Sequence, residues 1–191
     1  MKSFRLFCSL SGLALLATGL GGCLQAPDYS TTPSISNNNV RVSSFKSTVP
    51  GGQSIDSVYI TINYQDGDGD LGLSGDESKV APYTYPSLFN NNYFIEPTVK
   101  YVGTTTYVVP ILQYNNTPAA PGTFNARFDH ITGLTDSKTA PIKGTLTRTF
   151  AFGRGDYFNA GDVVRFDVSI ADRALHVSNV IRTDSIVIPK L

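Results

Sequence analysis

The stretch SVYITINY, residues 57–64, decides the fold class. Val58, Ile60, Ile62 and Tyr64 recur at period two and so share one face. That alternation marks a strand with one buried and one wet side. The same pattern returns along the chain. In TFNARFDHI (123–131), Phe124, Ala126 and Phe128 share a face. In GTLTRTFAF (144–152), Leu146, Phe150 and Phe152 do so, with threonines opposite. In DVVRFDVSIAD (162–172), Val164, Phe166, Val168 and Ile170 alternate with Arg165, Asp167 and Ser169, and DSIVIP (184–189) turns Ile186 and Ile188 inward. No helical period of useful length competes with these segments.

Clean alternation belongs to antiparallel sheets. Turn signals separate the segments: Pro50-Gly51-Gly52, Pro121-Gly122, Gly153 to Gly155, and Asn159-Ala160-Gly161-Asp162. The prediction is an all-β domain, an antiparallel β-sandwich of immunoglobulin or fibronectin type with seven or eight strands. A closed barrel is the alternative. Pro110 in TYVVPILQY (106–114) puts that strand at an edge or on a bulge. Residues 78–96 alternate weakly and read as a long excursion.

The N-terminal end carries a different kind of signal. Lys2 and Arg5 precede an apolar run, Leu6 to Leu20, broken by small residues and too short for a membrane span. The run ends in Leu20-Gly21-Gly22-Cys23, which resembles a bacterial lipobox. The resemblance implies a signal peptide over 1–22, cleaved to leave Cys23 as an N-terminus carrying fatty acyl chains such as palmitate. A plain secretory signal is the alternative. Several acyl chains, at about 0.8 kcal/mol per buried CH₂, anchor a protein stably. Cys8 and Cys23 are the only cysteines, so the mature chain has no disulfide and no cysteine zinc site. Residues 23–39, polar with Pro and Ser, read as a flexible linker, and 40–191 as the folded domain. Without its leader the chain has 13 basic and 15 acidic residues, a net charge of −2. No basic run or patch suggests a nucleic-acid partner.

Directly after the first quoted strand comes DGDGDLGLSGDE, residues 66–77. Asp66, Asp68 and Asp70 can aim carboxylates at one centre, while Gly67 and Gly69 let the backbone curl. Calcium takes six to eight oxygens in flexible geometry, so a calcium loop completed by Asp76 or Glu77 is expected. The spacing is similar to an EF-hand loop, but Leu71 stands at the position of its invariant glycine and a strand precedes it. The alternative is a solvated acidic turn, since Asp-Gly is a common turn dipeptide.

A second resemblance joins the two ends of the domain. ADRALHVSNVIRTDSIVI (171–188) resembles the closing hairpin of bacterial immunoglobulin-like domains, with Leu175-His176 where that pattern has Gly-Asn. Together with YQDGDGDLG (64–72) and the lipobox, it resembles an uncharacterised group of Bacteroidetes cell-envelope lipoproteins. That resemblance implies a lipid-anchored outer-membrane protein, on the periplasmic face or the cell surface, and supplies no activity.

No catalytic residue emerges: no serine sits in a nucleophile elbow, and His130 and His176 read as surface or turn residues. Asp172 and Arg173 read as a structural pair, and Arg154-Gly155-Asp156 as a β-turn. Tyr83, Tyr85, Phe89, Tyr93 and Phe94 form an aromatic cluster that either stacks on sugars or packs as a lid. The expectation is a non-enzymatic envelope lipoprotein with a calcium-stabilised module for scaffolding or interaction. A glycan-binding accessory protein using residues 83–94 is the alternative.

Overall fold

The structure, a computed structural model, describes residues 27–131 and 139–191. The expected leader and Cys23 lie outside the described residues. The described residues form nine strands: β1 (Ser34–Phe45), β2 (Ile55–Asp66), β3 (Tyr93–Lys100), β4 (Ile111–Leu112), β5 (Thr117–Pro118), β6 (Ile142–Gly153), β7 (Val163–Ile170), β8 (Ile181–Arg182) and β9 (Ile186–Val187). One sheet runs β1-β2-β6; the other runs β3-β7-β8, with β9 on the same edge of β7 as β8. All pairings are antiparallel. The two sheets pack as a sandwich and do not close into a barrel.

The sequence periodicity builds this core. Val58, Ile60 and Ile62 of β2 are fully buried, as are Val164, Phe166, Val168 and Ile170 of β7. The sheets meet where Phe150 of β6 sets its ring edge-on to Phe166 of β7, centroids 5.6 Å apart. Burying such side chains contributes about 1.5–3 kcal/mol each, the main term holding a domain without disulfides.

Four expectations are corrected. First, β1 starts at Ser34, ahead of the domain start expected at residue 40. Ile35 is buried, and its N–H and C=O both bond the Asn179 side chain at 2.9 Å, a long-range tie that a polar local sequence does not advertise. Second, residues 123–131 form no strand, although Ala126 bridges Tyr93. There the Phe128 N–H donates to the Asn92 side chain and its carbonyl accepts from Leu73, so side-chain and loop partners replace a ladder. Third, TYVVPILQY is not one continuous strand: Val108 makes an isolated bridge to Val99, and after Pro110 only Ile111–Leu112 pairs, in the short β4–β5 hairpin. Fourth, the excursion ends at Asn92. Residues 93–100 are β3, with Tyr93, Ile95, Pro97 and Val99 inward. β3 is an edge strand of its sheet; like Ile95 and Val99, whose N–H groups point away from β7 to Asn125 and Val108, Pro97 sits where the missing N–H costs no bond to β7.

Candidate metal centre

The inward face of β2 does not stop at Tyr64. Asp56, Val58, Ile60, Ile62, Tyr64 and Asp66 are all buried at alternate positions, so an aspartate closes each end of one apolar row. The two ends are treated differently. Asp56, with no exposure, accepts from Arg154 Nη2 at 2.6 Å and Nε at 3.0 Å and also bonds the Ser44 hydroxyl. This fixes Arg154, leaving it 17% exposed within a turn, so the Arg-Gly-Asp tripeptide is a structural corner. Asp66, equally buried, has no basic side chain against it among the described residues.

What Asp66 meets instead is more carboxylate. β7 also carries its alternation one step past the strand: Val164, Phe166, Val168, Ile170, then buried Asp172. Because β2 and β7 lie in facing sheets, the two rows end side by side. Carboxylate oxygens of Asp66, Asp70 and Asp172 all lie within 4.8 Å of one another. The backbone supports this convergence. Leu71 bridges Asp172, the Asp70 carbonyl accepts from Arg173 N–H at 3.3 Å, and Asp70 Oδ2 accepts from Ala174 N–H at 3.0 Å. Leu71 and Leu73 are buried and pin the loop from below. Gly69 has φ +72°, which lets the chain turn back so that the Asp70 N–H reaches Asp66 Oδ2 at 3.1 Å.

The electrostatics are unfavourable as drawn by the chain alone. Asp66 Oδ1, Asp68 Oδ1 and Asp70 Oδ1 are buried without a hydrogen-bond partner among the described residues. Burial, then the charges of Asp68, Asp70 and Asp172, pushes the Asp66 carboxyl up to about 7. Burial, then Asp172 and Asp68, pushes Asp70 up to about 6. Asp172 is also raised by burial, opposed by hydrogen bonds from His176. His176 donates its N–H to Asp172 Oδ1 at 2.7 Å and sets Nδ1 2.8 Å from Oδ2, which raises the imidazole pKa. A buried carboxylate with an unsatisfied oxygen is a costly state that protonation or a cation relieves.

The predicted ligands therefore divide. Asp66 and Asp70 gather, Asp68 lies near enough for its charge to act on both but outside the 4.8 Å group, and Asp76 and Glu77 do not join them. Asp76 is 95% exposed at its side chain and pairs with Lys79 at 2.8 Å. Glu77 bonds His130 Nε2 at 2.7 Å and the Ser74 N–H at 2.7 Å. Burial raises the Glu77 carboxyl less than Ser74 and His130 lower it. The EF-hand-like closure at the twelfth position is absent because a short 3₁₀ turn, Glu77–Lys79, carries both acids away from the loop. Asp172 takes the place expected of them, paired to His176 and not to Arg173. The turn it opens holds Leu175 in the left-handed region, at φ +71°.

The aromatic cluster also separates. Tyr93 is 1% exposed in the core, its ring edge-on to Phe128, and cannot meet a ligand. Phe89 and Phe94 pack on each other edge-to-face at 6.5 Å. Tyr83 donates its hydroxyl to the Arg173 carbonyl at 2.5 Å, tying the excursion to the acidic hairpin. Only Tyr85, 83% exposed, presents its ring to solvent. The five rings thus do not share one exposed surface. Comparison with family models, curated proteins and solved structures gave no match.

Proposed function

We propose that the chain is a non-enzymatic, lipid-anchored envelope protein of the outer membrane whose sandwich is a scaffolding or interaction module stabilised by calcium. The observation that carries the metal reading is the contrast along β2. The buried Asp56 receives a guanidinium from Arg154, while the buried Asp66 faces three further aspartates, so the compensating charge has to come from solution. Asp66, Asp68, Asp70 and Asp172 supply hard, charged oxygens from a loop with glycines, which suits calcium better than the stricter octahedron of magnesium. A site on a fully buried carboxylate holds an ion and does not admit a substrate, so the ion contributes stability. The lipid anchor rests on the Leu20-Gly21-Gly22-Cys23 segment.

Calorimetric titration and thermal melting test the metal reading. Extracellular calcium modules bind at about 0.1–1 mM. At about 1 mM free calcium and the tighter limit, the stabilisation is about 1.4 kcal/mol. For a domain of this size that raises Tm by about 3–6 °C. EDTA should reverse the rise and magnesium should reproduce little of it. The double change Asp68→Asn with Asp70→Asn should remove the response. No heat of binding together with superimposable melts in calcium and EDTA would leave the cluster without a cation.

A further inference from the structure

We infer that cation binding in the acidic loop and docking of the N-terminal segment, residues 27–33, are one coupled event; this rests on the calcium reading above. The segment forms no strand, yet it is seated: Tyr29 is half-buried and Pro33 is buried just ahead of β1. Its contact with the loop is at Gly67, between Asp66 and Asp68. The Gly67 N–H donates to the Ser30 carbonyl at 2.8 Å. A Cβ on Gly67 would stand 2.8 Å from the Ser30 carbonyl carbon and oxygen and closer still to the Tyr29 carbonyl oxygen. Gly67 is not among the glycines at positive φ, unlike Gly69. Its missing side chain therefore serves the approach of the segment and not the turn of the loop.

The coupling follows from position. Asp66 and Asp68 flank Gly67, and each buries an unpartnered carboxylate oxygen. Without a cation their mutual repulsion, with Asp70 and Asp172, favours a wider loop and carries the Gly67 N–H away from Ser30. A cation draws the oxygens together and sets the peptide on which the segment docks. By linkage, docking raises cation affinity by the same factor that the cation raises docking. Released, seven residues at about 3.5 Å each add roughly 25 Å of reach. Calcium would then set how closely the domain stands to whatever holds its N-terminal end.

The chain has no tryptophan, so Tyr29→Trp in the full chain gives a single reporter beside the loop. Calcium chloride should shift its emission to the blue and reduce acrylamide quenching at least twofold, with EDTA reversing both. Exchange of the Gly67 amide should slow at least tenfold with calcium. Gly67→Ala, which keeps every carboxylate, should weaken calcium binding about fivefold or more and silence the Tyr29→Trp response. If Gly67→Ala fails to fold, the reporter and the exchange of the Gly67 amide decide. Calcium heat with an unchanged reporter and unchanged Gly67 exchange overturns the coupling while leaving the site. Absence of calcium heat overturns the site itself.

Discussion

Asp66→Asn should stabilise the calcium-free protein near pH 8. The substitution is isosteric, its amide oxygen can still accept the Asp70 N–H, and its new N–H₂ can donate to a neighbouring carboxylate oxygen that has no partner. In the folded chain the Asp66 carboxyl titrates at about 7, against 3.8 ordinarily. A raised acid favours folding while it is protonated, so that stability is complete below 3.8 and is lost as pH climbs through 7. Above that window the ionised form costs about 4 kcal/mol at 1.36 kcal/mol per pKa unit. Coulomb's law gives a similar scale: two full charges 4.8 Å apart at an effective dielectric of 20 repel by about 3.5 kcal/mol. Relaxation of the loop reduces both, so a gain of roughly 1–3 kcal/mol is expected, or about 2–12 °C in Tm. Scanning calorimetry of calcium-stripped wild type and variant from pH 4 to pH 8 measures it. The variant's advantage should grow with pH and shrink or reverse with calcium, which it can no longer hold well. A wild-type stability flat from pH 4 to pH 8, or a variant destabilised equally at both ends, would refute the reasoning.

Asp172→Asn should weaken calcium binding at least tenfold, whereas Asp76→Asn, on an exposed residue paired with Lys79, should leave the titration unchanged; isothermal calorimetry separates them. Arg154→Ala strands the buried Asp56 and should cost about 3–5 kcal/mol in urea denaturation, with the calcium response intact. Phe166→Ala opens the contact between the sheets and should cost about 3–5 kcal/mol by the same assay. Cys23→Ser should abolish labelling by a fatty-acid analogue that tags the wild type; a serine variant still labelled would reject the lipobox reading.

Period-two alternation is a local property, and it predicted what depends on one face of one strand. Val58 to Tyr64, Leu146 to Phe152 and Val164 to Ile170 went inward as read, and the sandwich followed because such rows have to be covered by another sheet. That Asp66 and Asp70 could meet was also legible, since a glycine between the acids allows the chain to turn back. The same rows, extended by one position, would have placed Asp66 and Asp172 inward as well; a charged residue at the end of an apolar alternation reads as an exit to solvent, and here it is not.

What only the tertiary structure decided is who meets whom. Asp66 and Asp172 are more than a hundred residues apart, and they converge because β2 and β7 lie in opposed sheets. Nothing within either segment encodes that distance. Asp76 and Glu77 were the nearer acids in sequence, but a 3₁₀ turn takes them to Lys79 and His130. Arg154 likewise neutralises Asp56 from 98 positions away, which leaves Asp66 as the inward acid of β2 with no guanidinium against it among the described residues. Burial rows are written residue by residue along a strand; charge compensation depends on the packing of distant strands, and so it is settled only when the chain is folded.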